Sequence, residues 1–218
     1  YDKMFICASQ GLTHGPVGTH PTEYPVCVKP IINLLGGSVQ SQVCHNLEQY
    51  QQITNPSLFW SPYHLGEHYS FDFIMAHGRV VECFVFRGEK LQHGAFDYWE
   101  LVSDIDVANY IYRHAHNWLE THLDKYTGCV NVETIGNYII EVQLRMGDID
   151  RLGDPTLMQA IYDLYASGQW DWQPGEHFPD EFYLAALFAQ PNTTFSFNPN
   201  LIGKICEDLV YFQIDDPN

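Results

Sequence analysis

Basic residues are scarce in this sequence: ten lysines and arginines stand against 27 acidic residues, giving a formal net charge of −17 and a pI near 4.7. Affinity for DNA or RNA rests largely on Lys and Arg neutralising phosphates, so a polyanion would be repelled over most of this surface. Nucleic acid is therefore not an expected partner. No apolar run approaches the length of a membrane span, about 18 residues, and Tyr1-Asp2-Lys3 lacks the basic-then-apolar layout of a signal peptide. The six cysteines, Cys7, Cys27, Cys44, Cys83, Cys129 and Cys206, show no Cys-x-x-Cys spacing and no dense framework. They read as buried free thiols of a reducing compartment, which makes the cytoplasm the expected location. Internal repeats and low-complexity linkers are missing as well.

Core-forming material is abundant. Of 218 residues, 45% are hydrophobic, and 13 Phe, 14 Tyr and 5 Trp exclude disorder as a description of the whole chain. Residues 9–22, rich in Gly, Pro and Thr, read as an irregular loop. A strand over Pro25–Lys29 ends before Pro30, which cannot donate to a ladder. The Gly36-Gly37-Ser38 turn follows, then a short helix near His45–Gln52 and strands at Leu58–Tyr63, His68–Met75 and Arg79–Arg87. Ser103 to Asp106 has the form of a capping box ahead of a helix to about Leu123, and Asp154-Pro155 opens another to about Ala166. A final helix is expected near Pro199–Tyr211. Strands and helices without strict alternation indicate an α+β fold.

The hairpin formed by Gly128–Thr134 and Tyr138–Leu144 carries the clearest chemical signal. On its second strand Ile140, Val142 and Leu144 alternate with Glu141, Gln143 and Arg145, predicting one core face and one polar face. Glu133 lies eight residues before Glu141. A three-residue loop at Gly136-Asn137-Tyr138 would set the two carboxylates opposite each other, a pairing that needs a cation. Two carboxylates and an amide oxygen suit Mg²⁺ holding a phosphate-bearing substrate. A two-residue Gly-Asn turn would instead send Glu133 and Glu141 to opposite sides, leaving a solvated sheet face. Lys29 at a strand end before Gly36-Gly37-Ser38 offers a point charge and close backbone N–H groups to a phosphate, although a plain hairpin has the same residues.

Asp2-Lys3, Tyr24 to Pro30, Gly36-Gly37-Ser38 and Glu48-Gln49-Tyr50 together resemble the opening of the ATP-grasp fold. Leu65 to Asp72 is similar to the segment after its hinge, and Val130 to Glu133 with Tyr138 to Arg145 is similar to its metal-binding strands. The resemblance covers about residues 1–146 and leaves the last 70 or so unmatched. It implies an ATP-grasp-like α+β unit over residues 1–218, with a small lid subdomain at about 22–63 and a larger mixed or antiparallel-sheet subdomain at 64–218. Lys3 and Lys29 would reach the phosphates of ATP under a flap formed by Gly36, Gly37 and Ser38. Glu133, Glu141 and Gln143 would hold Mg²⁺, and Arg145 would steady the transferring phosphoryl group. Gln143 stands where the family usually has Asn, which lengthens that arm by one methylene. Trp60-Ser61-Pro62-Tyr63 replaces the commoner acidic hinge.

The activity implied is ATP-dependent activation of a carboxylate as an acylphosphate, captured by an amine or another nucleophile. The family's usual preceding α/β domain, which helps bind the acceptor, would be separate or missing. The alternative is a nucleotide-binding or structural module without turnover. Among the remaining histidines, His64 and His68 flank Gly66 as loop or ligand residues. His68, Ser70 and Asp72 share a strand face but lie too far apart along it for a catalytic triad.

Overall fold

The computed structural model describes residues 1–32, 40–90, 96–103, 109–175, 178–179 and 181–185. Asp104 to Asp106 of the expected capping box, the Gly36-Gly37-Ser38 turn, Cys206 and the helix expected at Pro199–Tyr211 lie outside them.

A helix not anticipated from the sequence opens the chain. Helix α1 (Lys3–Ser9) forms because the Asp2 carboxylate accepts hydrogen bonds from the backbone N–H groups of Met4 and Phe5, at 2.7 and 3.3 Å. Strands β1 (Gly15–Pro16), β2 (Val26–Pro30), β3 (Gln42–Cys44) and β4 (Leu58–Pro62) build a four-stranded antiparallel sheet in the order β1-β4-β2-β3, with helix α2 (Leu47–Gln51) beside it. Residues 9–22 are thus not wholly irregular: Gly15 and Pro16 pair with Trp60 and Phe59. Pro30 closes β2 opposite Leu58. Alternation turns Val26, Val28, Leu58 and Trp60 into a small core shared with Cys44 and Tyr50. Lys29 and its cross-strand partner Phe59 are left on the opposite face.

The second sheet has six strands in the order β10-β7-β6-β5-β8-β9, all neighbours antiparallel. They are β5 (His68–Ala76), β6 (Arg79–Lys90), β7 (Phe96–Leu101), β8 (Gly128–Ile135), β9 (Tyr138–Gln143) and β10 (Tyr183–Ala185). Strands β7 and β10 are not anticipated from the sequence, because neither shows a clean alternation of its own: β7 is defined by pairing with the preceding β6 and β10 by pairing back to β7 from far along the chain. One face packs Phe71, Phe73, Met75, Val130, Val132, Ile139 and Val142 against Ile111, Ala115, Trp118 and Leu119 of helix α3 (Asn109–His122). The other packs Ile74, Phe84, Phe86 and Cys129 against Leu157, Ile161 and Leu164 of helix α4 (Pro155–Ser167) and against a 3₁₀ turn at Ile149–Leu152. Helix α4 covers only part of that face. Beyond it the same face turns polar, with His68, Ser70, Asp72, Asn131, Glu133, Glu141 and Gln143 in register at one end of β5, β8 and β9.

Helix α1 lies along β9 and ties the two sheets together. The Lys3 N–H donates to the Ile31 carbonyl just after β2, at 3.0 Å. At the other end of the helix the Gln10 side chain mimics a neighbouring strand: its Nε2 donates to the Ile139 carbonyl at 2.8 Å and its Oε1 accepts from the Ile139 N–H at 2.9 Å. Gln10→Ala leaves both groups of an edge strand unpaired, and we expect a loss of about 1–3 kcal/mol in urea denaturation.

Candidate active site

The chemistry-bearing face depends on a local irregularity. Strands β8 and β9 meet in a two-residue Gly136-Asn137 turn, with Ile135 opposite Tyr138 and Thr134 opposite Ile139. Gly136 has φ +57, and an added Cβ would meet the Leu65 carbonyl oxygen at 2.5 Å, so both conformation and space call for glycine. A regular hairpin from that turn would oppose Glu133 to Ile140. Instead Ile140 bulges out of the ladder, and Glu133 pairs with Glu141 and Asn131 with Gln143. The turn is thus the two-residue form, while the carboxylate pairing is the one a three-residue loop would give. The bulge also corrects the expected core face. Ile139 and Val142 are buried, whereas Ile140 is half-buried and Leu144 is 48% exposed.

Two like charges on adjacent strands require compensation, and each has it. Lys3, itself buried, places Nζ 2.7 Å from Glu141 Oε2, and the Gln143 amide donates to Glu141 Oε1 at 2.7 Å. His68 Nε2 stands 3.2 Å from Glu133 Oε2, and the Trp99 ring packs edge-on to the His68 imidazole at 5.4 Å between centroids. Gly88, between His68 and Trp99 in the cross-strand row, leaves room for that contact. Burial pushes the Glu133 carboxyl up, but the His68 hydrogen bond and the charges of His68, Lys3 and Arg145 outweigh it and hold the group below the usual carboxylate range.

Lys29 comes to this face from the four-stranded sheet. Burial pushes its ammonium below the ordinary lysine range, with Lys3 adding to the effect and Glu141 opposing it. Its Nζ lies 5.7 Å from the centre of the Phe59 ring, and among the described residues no carboxylate pairs with it. Arg145 is exposed, hydrogen-bonds the Met146 carbonyl, and acts electrostatically on Glu133 and Asp148. The structure therefore gathers Lys3, Lys29, Glu133, Glu141, Gln143 and Arg145 in one region, while Gly36, Gly37 and Ser38 are not described. Where the sheets meet, His64 stacks on Tyr138 at 4.2 Å, and burial together with the Lys29 charge pushes its imidazole down to about 4.

Sequence reasoning places Asp72 on a strand face with His68 and Ser70 and Asn131 in the strand of Glu133, but gives neither a site role, although they are the deepest polar residues of the face. The signal is present: Asp72 is two alternations along from His68, and Asn131 is one alternation before Glu133. Asp72 is 1% exposed, and burial pushes its carboxyl up to about 6, with three hydrogen bonds opposing the shift and Asp148 adding to it. The folded state then holds its proton more tightly than the unfolded chain does, so this contribution to stability is present below about pH 4 and lost as pH rises through about 6. The size is about 3 kcal/mol. Denaturation of the native protein and of Asp72→Asn at intervals from pH 4 to 7 should show a stability difference that shifts in favour of the variant as pH rises.

Among the described residues no three His, Cys, Asp or Glu side chains form a self-sufficient metal site. Two adjacent carboxylates and an amide are nevertheless the partial oxygen set that fits Mg²⁺, which keeps waters and completes its shell with substrate phosphates. Among the described residues no helix is long and apolar enough to cross a membrane.

No family model and no curated protein matches the sequence. Solved structures do match the fold. The L-amino acid ligase from Bacillus licheniformis aligns with a TM-score of 0.57 and 14% identity, over 76% of this chain and 47% of that one. The biotin carboxylase domain of the 2-oxoglutarate carboxylase from Hydrogenobacter thermophilus, crystallised with MgADP, ADP and bicarbonate, gives 0.57 and 14% over 84% and 48%. An ATP-grasp superfamily protein from Archaeoglobus fulgidus gives 0.51 and 14% over 78% and 53%. The chain has the ATP-grasp fold, of the α+β class, and it spans about half the length of these solved structures.

Proposed function

We propose that this chain forms the nucleotide- and metal-binding part of an ATP- and Mg²⁺-dependent ligase that activates a carboxylate as an acylphosphate for attack by an amine or another nucleophile. The observation that carries this reading is the convergence of Lys3, Lys29, Glu133, Glu141, Gln143 and Arg145 from two sheets and a bridging helix, on a protein of strongly negative charge. Such a concentration of cations beside paired carboxylates suits a polyphosphate and its counter-ion. The neighbours, an L-amino acid ligase and a biotin carboxylase domain bound to MgADP and bicarbonate, support small carboxylates as the acceptor class.

Glu133, Glu141 and Gln143 would hold Mg²⁺, which would supply positive charge to offset that of the phosphates. Lys3 holds Glu141 in place and, with Lys29, supplies positive charge where phosphate oxygens would lie. Arg145, over the same face, would balance charge that develops on the phosphoryl group during transfer. The residues thus orient and neutralise rather than react covalently, which is what phosphoryl transfer demands of a protein.

Thermal-shift titration with ATP and MgCl₂ should raise the melting temperature as binding to the folded state requires. ADP release should then appear with one or more members of a panel of L-amino acids and bicarbonate. Binding without turnover on any acceptor would leave a nucleotide-binding module, and no binding would overturn the reading.

A further inference from the structure

We propose that Asp72 is a positioning residue for Arg145: the buried carboxylate on β5 fastens the turn that leaves β9 and thereby fixes where the guanidinium stands relative to Glu133 and Glu141. The inference rests on the reading of Arg145 given above. Asp72 Oδ1 accepts from the Gly147 N–H at 2.6 Å and from Asn131 Nδ2 at 3.0 Å, and its Oδ2 accepts from the Asp148 N–H at 3.0 Å. Gly147 follows Arg145 by two residues. A side chain there would put a Cβ 2.5 Å from Asn131 Nδ2 and 2.6 and 2.8 Å from the Asp72 oxygens, so this close approach of backbone to carboxylate is open only to glycine.

The same cluster reaches the metal-facing residues by a second route. Asn131 also donates to Ser70 Oγ at 2.9 Å, pairs with Gln143 across β8 and β9, and precedes Glu133 by one alternation. Arg145 has no comparable support of its own. It is exposed, and among the described residues the only hydrogen bond of its side chain goes to the carbonyl of the next residue, Met146. Its position is therefore inherited from the backbone, and the backbone is held by Asp72. A carboxylate withdrawn from water that accepts two main-chain N–H groups, two and three residues after the arginine, fixes the backbone from which the guanidinium extends. A competing explanation is that Asp72 serves only to cap the 3₁₀ turn at Ile149–Leu152, in which case Arg145 would be indifferent to it.

The experiment uses the whole chain with ATP, MgCl₂ and the acceptor panel, and compares Asp72→Asn, Arg145→Ala and the double variant. Asp72→Asn should lower kcat for ADP release by about 10²-fold, the scale of a small misplacement, while KM for ATP stays within about threefold. In the Arg145→Ala background the same change should cost nothing further, because residues acting as one unit are not additive. Independently of turnover, amide exchange at Gly147 and Asp148 should quicken by about tenfold or more in Asp72→Asn. If that variant does not fold, Gly147→Ala displaces the same turn and carries the same comparison. An equal loss of kcat in both backgrounds, or unchanged exchange at residues 147 and 148, would overturn the proposal. Absence of ADP release from the native protein would overturn the functional reading instead, and with it Arg145 as the object of the latch, while exchange alone would decide whether Asp72 holds the turn.

Discussion

A Lys3→Met variant is expected to lose about 3–5 kcal/mol of folding stability, the cost of leaving a buried charge without its partner. For a chain of this size that corresponds to a fall in melting temperature on the order of 10 °C. The effect is large because both members of the pair are withdrawn from water: the Lys3 and Glu141 side chains are 7% and 11% exposed, and their charged atoms are 2.7 Å apart. Removing the ammonium strands Glu141 beside Glu133, two carboxylates on neighbouring strands with one cation fewer between them. The diagnostic arm is the double variant Lys3→Met/Glu141→Gln. With no ion left to strand, it should recover most of the loss, since replacing a buried pair outright is often near neutral. Differential scanning calorimetry of the single and double variants checks this. Additive losses would show that the two groups stabilise the fold separately.

On the proposed function, Glu133→Gln should reduce ATP turnover by about 10²–10³-fold while leaving the fold intact, because a single preorganised electrostatic group at a phosphoryl-transfer site is worth several kcal/mol. The glutamine keeps the size and most of the hydrogen-bonding capacity that His68 uses, so the change is one of charge. Stability should move less than in Lys3→Met, since the Glu133 side chain is 28% exposed and is not the partner of Lys3. The loss should be partly relieved at high MgCl₂, visible as a rightward shift of the Mg²⁺ dependence of ADP release. Full turnover at low Mg²⁺ in this variant would remove Glu133 from the metal site. The surviving metal reading would then rest on Glu141 and Gln143 alone.

The two expectations separate functions that the geometry joins. Glu141 is read both as a structural counter-ion for α1 and as a metal ligand, and Lys3 both as its partner and as a phosphate contact. Such sharing is economical in a site with so few bases, but it means that the same substitution perturbs folding and chemistry together. Measuring stability and turnover on each variant keeps the two apart.

Local pattern was enough for much of the architecture. Alternation over His68–Met75 and Arg79–Arg87, the turn glycines and the Asp154-Pro155 helix start are short-range signals, and the strands and helix they mark are present as β5, β6 and α4. Asp2 likewise announces α1 by its capping chemistry, although a helix of seven residues offers too little periodicity to stand out. Strands β7 and β10 left no comparable trace, because neither alternates cleanly and β10 finds its partner β7 only from far along the chain.

The site divides along the same line. Residue type and spacing by themselves marked Glu133, Glu141, Gln143 and Lys29 as groups suited to phosphate and metal chemistry, while Lys3 and Arg145 entered only through the resemblance to the ATP-grasp fold. Tertiary structure alone decided that they meet. Whether Glu141 faces Glu133 or turns its back depends on one bulged residue, Ile140, beside a strand residue, Ile139, pinned by Gln10 from 129 positions away. A strand's side chains change face with every residue, so a single extra residue inverts everything beyond it. Alternation put Asp72 on one face with His68 and Ser70, but what its carboxylate holds could be seen only once burial and the backbone of Gly147 were in place.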